Sequence, residues 1–110
     1  DNRVWRLNPV DDSLHVHYDP ASSPNPQLTG VDNITTSVGG ALYVAEDGGN
    51  MEVVELLPDG GTVPALRVTG QDDSEIAGIG FDPSGQRLYF SSQRGGDGRG
   101  ITYCVRGPWV

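Results

Sequence analysis

The sequence predicts an all-β chain made of β-propeller blades, and three observations carry that prediction. Sixteen glycines and eight prolines are scattered between short β-rich runs rather than gathered into one tract, as tight turns between many strands require. The chain repeats itself: Gly39-Gly40-Ala41-Leu42-Tyr43-Val44 is matched 46 residues later by Gly85-Gln86-Arg87-Leu88-Tyr89-Phe90. A second series runs through Val4-Trp5-Arg6-Leu7-Asn8-Pro9, Val53-Val54-Glu55-Leu56-Leu57-Pro58 and Tyr103-Cys104-Val105-Arg106-Gly107-Pro108, its prolines 49 and then 50 residues apart. Four-stranded blades recur at roughly 40 to 50 residues, and the long 3.6-periodic segments that helical repeats of that length need are missing.

Reading along the chain, strands are expected near residues 3–7, 14–18, 31–37, 41–46, 51–57, 63–69, 76–81, 87–92 and 101–106. Asp59-Gly60-Gly61, Pro83-Ser84-Gly85 and Gly95-Gly96-Asp97-Gly98 break them. Residues 19–30 hold Pro20, Pro24 and Pro26 and read as a proline-rich connection between blades, because proline cannot donate to a ladder. The 110 residues form a single propeller fragment of a little over two blades, which leaves open edges. The remaining blades of a longer protein cover them, or the chain self-associates, for which three two-blade units making six is the simplest closed arrangement.

Charge and composition exclude several functions. Fifteen acidic against seven basic side chains give a net charge of −8, and all seven basic residues are arginine. Without lysine there is no Schiff-base chemistry and no P-loop. No positive field or basic cluster is present for nucleic acid. Cys104 is the sole cysteine, which rules out an intrachain disulfide and a multi-cysteine zinc site. No stretch approaches the roughly 18 apolar residues of a membrane span, and Asp-Asn-Arg-Val-Trp is not a signal peptide.

The residues that can carry chemistry are acidic and stand at strand ends. Asp32-Asn33 opens one strand, Glu46-Asp47-Gly48-Gly49-Asn50 closes the next, and Asp72-Asp73-Ser74-Glu75 precedes another. Turns select Asp, Asn and Gly on their own account, and composition alone favours that reading. The second reading is calcium, which prefers hard oxygen ligands assembled here from separate loops, since no EF-hand window exists. His15 and His17 lie two apart on one strand and read as a solvent-facing pair, with a transition-metal pair as the alternative. Cys104 reads as a buried structural thiol, and Trp5 and Trp109 as packing residues. The glycines at 95, 96, 98 and 100 form a loop without the strand and helix of a phosphate cradle.

Three stretches together resemble a family. Val31-Asp32-Asn33-Ile34-Thr35-Thr36-Ser37 with Leu42-Tyr43-Val44-Ala45-Glu46-Asp47-Gly48 resembles the "PDNLTVSP…LxxCEDG" run of the secreted PhoX-type alkaline phosphatase-like proteins. Ser74-Glu75-Ile76-Ala77-Gly78 through Phe81-Asp82-Pro83-Ser84-Gly85 to Leu88-Tyr89-Phe90 resembles their "SEFAGPTFSPDGxTLF" run, and Gly100-Ile101-Thr102-Tyr103 to Gly107-Pro108-Trp109 their closing "GITFAIxGPW". Order and spacing agree over residues 31–109.

The resemblance implies the C-terminal end of a six-bladed propeller, exported to the periplasm or secreted, whose funnel holds calcium and, in the characterised phosphatases, iron for hydrolysing phosphate monoesters. Asp32, Asn33, Glu46 and Glu75 carry over as candidate metal ligands or their supports. Val31 stands where the family has proline, Ala45 where it has cysteine and Ile76 where it has phenylalanine. The iron-bridging cysteine belongs to earlier blades and Cys104 does not stand in for it, so the chain alone is expected to be inactive on a phosphate monoester substrate. The alternative function is a non-catalytic propeller module that binds a protein or a saccharide through loops such as 19–30 or 93–100.

Overall fold

A computed structural model describes residues 2–47 and 49–110. Its nine strands are β1 (Val4–Asn8), β2 (Ser13–Tyr18), β3 (Val31–Thr36), β4 (Leu42–Glu46), β5 (Glu52–Leu56), β6 (Thr62–Arg67), β7 (Ile76–Phe81), β8 (Arg87–Ser92) and β9 (Ile101–Arg106). Among the described residues there is no helix, and thus none long and apolar enough to cross a membrane. The strands form three antiparallel sheets: a hairpin β1-β2, a four-stranded sheet β3-β4-β5-β6 and a three-stranded sheet β7-β8-β9. All-β class and nine strands agree with the sequence reading, and the last three strands agree residue for residue.

Where bounds differ, turn hydrogen bonds explain the difference. The strand expected at 31–37 stops at Thr36 because Ser37 enters the turn, donating its N–H to the Ala41 carbonyl and accepting from Gly40 N–H. The strand expected at 51–57 stops at Leu56, since Leu57 pairs with Gly61 across the turn. Gly60 in that turn has φ 82° and an added Cβ would lie 2.8 Å from the His17 carbonyl oxygen, so both its handedness and its closeness to β2 require glycine.

Side-chain alternation divides each strand between two faces. In the four-stranded sheet Tyr43, Ala45 and Val53 point toward the three-stranded sheet and meet Ile76, Ile79, Leu88 and Phe90 in one core. Val44, Val54 and Leu56 point the other way and meet Tyr18 and Leu28 in a second. The edge strand β3 and its neighbour β4 approach β7, which brings the start of β3, the end of β4 and the start of β7 to one end of the molecule. At the opposite end, Trp109 folds back onto Tyr43 and Phe81, its ring centroid 5.6 and 5.7 Å from theirs in edge-to-face geometry.

The connection 19–30 joins β2 to β3 and is tied down along its length. Ser23 Oγ donates to the Gly60 carbonyl at 2.8 Å, Asn25 brackets the backbone of Thr62, and the fully buried Leu28 carbonyl accepts from Tyr18 Oη at 2.7 Å. Two sequence expectations need correction here. Cys104 is exposed, not buried, because alternation turns Tyr103 and Val105 inward and leaves Cys104 beside Tyr89 on the far face of its sheet. Trp5 is half exposed on the hairpin and packs into neither core.

Candidate functional site

The acidic residues singled out in the sequence gather at the end where β3, β4 and β7 meet. Val31 pairs with Glu46 in the β3–β4 ladder, and the register shifts between Val31 and Ile34, so Asp32 and Asn33 sit in an irregularity. Asn33 uses this to reach across to the neighbouring sheet: its Oδ1 accepts from Gly78 N–H at 2.6 Å while its amide nitrogen donates to Asp32 Oδ1 at 3.2 Å. The bond holds β3 to β7 and positions Asp32 beside them.

Glu46 ends β4 and Asp47 opens the bend after it, and their side chains reach different neighbours, Thr29 and Glu75. Glu46 is 2% exposed, and its Oε1 accepts from Thr29 N–H at 3.1 Å and Thr29 Oγ1 at 2.9 Å. Its Oε2 is buried and receives no hydrogen bond among the described residues, and the same holds for Asn50 Oδ1 at the far end of the loop. Burial of a carboxylate oxygen without a donor or cation is costly, which makes this loop chemically unfinished. Met51, which closes it, has φ 56°, an uncommon left-handed conformation for a non-glycine residue, held by a fully buried side chain. Gly48 of this motif, like Asp1, lies outside the described residues.

Asp47 faces Glu75 instead. A hydrogen bond shared with Asp47 raises the Glu75 carboxyl above its ordinary value; burial and the charge of nearby Asp32 push the same way, and Arg94, its Nη2 3.2 Å from Glu75 Oε1, opposes them. Ser74, just before Glu75, organises the rest of this rim: its buried Oγ accepts from Ser92 Oγ and from Arg94 N–H, both at 2.8 Å.

The structure thus brings Asp32, Asn33 and Glu75 together across the gap between two sheets, and sets Glu46 on the other side of the same loop. Asp47 was missed as an individual candidate. The signal was its place two residues beyond Ala45, on the parity that faces the second sheet. Among the described residues no three His, Cys, Asp or Glu side chains are drawn close enough to form a closed metal cage. The histidines do not act as a pair: His15 is exposed and bonds Ser13 Oγ at 3.0 Å, whereas His17, opposite the irregularity at the start of β1, is half-buried, with its Nε2 unbonded among the described residues. Comparison of the chain with protein-family models, curated proteins and solved structures finds no match.

Proposed function

We propose that the chain is a β-propeller portion of a secreted, PhoX-like calcium-dependent phosphoesterase, contributing part of a metal-lined rim and inactive by itself. Three antiparallel sheets of two, four and three strands fit consecutive blades of such a ring. One observation carries the metal reading: Glu46 Oε2, a carboxyl oxygen buried without a hydrogen-bond donor among the described residues. A cation is the partner that meets this demand with least rearrangement, and the raised Glu75 beside Asp47 and Asp32 has the same need.

Asp32, Asn33, Asp47 and Glu75 on one side of the loop, and Glu46 on the other, offer hard oxygens only, the ligand type that calcium takes, so each side supplies part of a coordination shell and not a complete one. Bound there, calcium supplies positive charge toward which a phosphoryl group can be drawn. The chain's own residues orient the rim: Thr29 fixes one oxygen of Glu46, Asn33 locks β3 to β7, and Arg94 holds Glu75. Cys104 lies on the far face of the three-stranded sheet and brings no thiol to this rim, so iron in a complete propeller would rest on residues of its other blades; no step is assigned to it.

Calorimetric titration of the purified chain with calcium tests the reading, with thermal unfolding followed in parallel. Saturable binding that raises the melting temperature and is weakened by Glu46→Gln and by Glu75→Gln supports it, since a ligand held only by the folded state stabilises that state. Calcium binding that neither variant changes, or none at all, overturns the assignment of these residues and leaves the protein- or saccharide-binding module as the reading to pursue.

A further inference from the structure

The hairpin β1-β2 contains an irregularity whose extra residue is a histidine. Val4 pairs with Tyr18 and Trp5 with Val16, so His17 has no partner across the ladder. A bulge of this kind turns a side chain away from the direction that strict alternation gives it. It separates the two histidines: His15 is exposed, while His17 is half-buried and its Nε2 is buried without a hydrogen-bond partner among the described residues. An imidazole nitrogen is a donor or an acceptor in every protonation state, so a buried one without a partner calls for a ligand or for water.

The bulge abuts the turn between β5 and β6. Gly60 lies so close that an added Cβ would come 2.8 Å from the His17 carbonyl oxygen, and Ser23 Oγ donates to the Gly60 carbonyl at 2.8 Å. Beside these contacts is a pocket of about 240 Å³ lined by Val16, His17, Asp19, Ser22, Ser23 and Asp59. Both wall segments, 16–23 and 59–60, are internal to the sequence. They sit where β5 ends, whereas the acidic rim lies where β4 ends and β5 begins.

The unused groups of this pocket are mainly hydrogen-bond acceptors. Asp19 is already occupied, its Oδ1 accepting from Ala21 N–H at 2.9 Å and its Oδ2 pairing with Arg3 Nε at 2.8 Å. Asp59 accepts from Gly61 N–H through Oδ1 at 2.8 Å, and no hydrogen bond to its Oδ2 forms among the described residues. With the imidazole proton on Nδ1, the pocket offers a neutral nitrogen acceptor and an anionic oxygen, and the chain's net charge of −8 adds attraction for a cation. The volume is below the roughly 300 to 1,000 Å³ of sites for drug-sized ligands, so a small group fills it. A metal ion finds no closed cage, since no three His, Cys, Asp or Glu side chains converge among the described residues.

We propose that this pocket binds a primary ammonium group, carried by a small free amine or by a lysine side chain, which donates N–H bonds to His17 Nε2 and Asp59 Oδ2. An ammonium is a compact charge with three rotatable donors, which suits acceptors brought together from a strand bulge and a turn. The third donor is left for Ser22 Oγ or water. The inference does not depend on the metal reading.

The test uses the intact chain with two probes, n-butylammonium and the peptide acetyl-Gly-Lys-Gly-amide, and the same peptide acetylated on its lysine as the uncharged control. Saturable NMR shifts at the His17 ring and at the amides of Ser22, Gly60 and Gly61 are expected from at least one probe below about 10 mM. Butylammonium alone assigns the site to a free amine, the peptide alone to a lysine side chain, and both to the ammonium group whatever carries it. Asp59→Asn, which keeps Oδ1 for Gly61, and His17→Phe, which keeps a ring, should each weaken binding by at least about tenfold while circular dichroism shows the fold retained. His17 also borders a second hollow that contains Glu55, so Glu55→Gln should leave binding unchanged. No saturation by either probe up to about 10 mM, equal binding of the acetylated peptide, or unchanged binding in Asp59→Asn overturns the proposal, the first by leaving the pocket to water.

Discussion

Removing the Trp109 side chain should loosen the junction of the two larger sheets. Trp109 meets Tyr43 of β4 and Phe81 of β7 edge to face, while those two rings lie 5.4 Å apart, so the three form a closed triangle across both sheets. Its indole N–H also donates to the Val105 carbonyl at 3.3 Å. The side chain is half-buried; covering about half of the 150–250 Å² typical of such a ring contributes about 2 kcal/mol at roughly 25 cal/mol per Å². Two favourable ring pairs add about 0.5–1.5 kcal/mol each, so Trp109→Ala should cost about 3 to 5 kcal/mol. For a chain of this size that is a fall in melting temperature on the order of 10 to 20 °C, measurable by calorimetry or circular dichroism. Trp109→Phe, which keeps an aromatic edge in the triangle, should restore more than half of the loss. A fall of less than about 1 kcal/mol for Trp109→Ala would refute the idea that this ring joins the sheets, because it would place the indole's contribution in the range of ordinary surface substitutions.

Other consequences can be checked in the same way. Gly85 has φ 69° and an added Cβ would come 2.5 Å from Val38 Cγ2, so Gly85→Ala should destabilise by about 1 to 2 kcal/mol in urea titration, and Val38→Ala in the same chain should recover part of it. Tyr18→Phe leaves the buried Leu28 carbonyl without its donor and should cost about 1 to 3 kcal/mol by the same measurement. Because the Glu75 carboxyl is raised above its ordinary 4.5 by the bond to Asp47, it favours the folded state below that pH, and the benefit is lost as pH rises through the raised value. The stability of the wild type relative to Glu75→Gln should therefore decline on going from acid toward neutral pH, and calcium should offset the decline. A pH-independent difference between the two chains would count against the carboxylate pair.

The strands were legible because their signals are local. Turn residues at Asp59-Gly60-Gly61 and Pro83-Ser84-Gly85 bound β-rich runs on each side, and backbone hydrogen bonds formed within a turn settle where a strand stops. The repeat carried the equivalence of β1, β5 and β9 as well. The errors fall where neighbours in space, not in sequence, set the environment. Cys104 sits among apolar residues along the chain, yet only the pairing with Tyr89 shows that its face has no second sheet against it. Trp5, expected to pack, is half exposed and joins neither core among the described residues.

The candidate rim shows the same division between local and long-range information. Its acidic composition could be read directly, since Asp32, Glu46 and Glu75 stand at strand ends whatever the strands later do. Which carboxylates face one another could not, because an irregularity in β3 and the bend that begins at Asp47 decide it. Sequence by itself determined the all-β class, the nine strands, their period and the acidic character of their ends, all properties set by neighbours a few residues apart. Tertiary structure alone decided that Asn33 bonds Gly78, 45 residues away, that Asp47 meets Glu75, and that Glu46 buries an oxygen without a hydrogen-bond donor among the described residues. Those outcomes depend on how sheets stack, and stacking follows from the summed burial of faces whose residues come from distant parts of the chain.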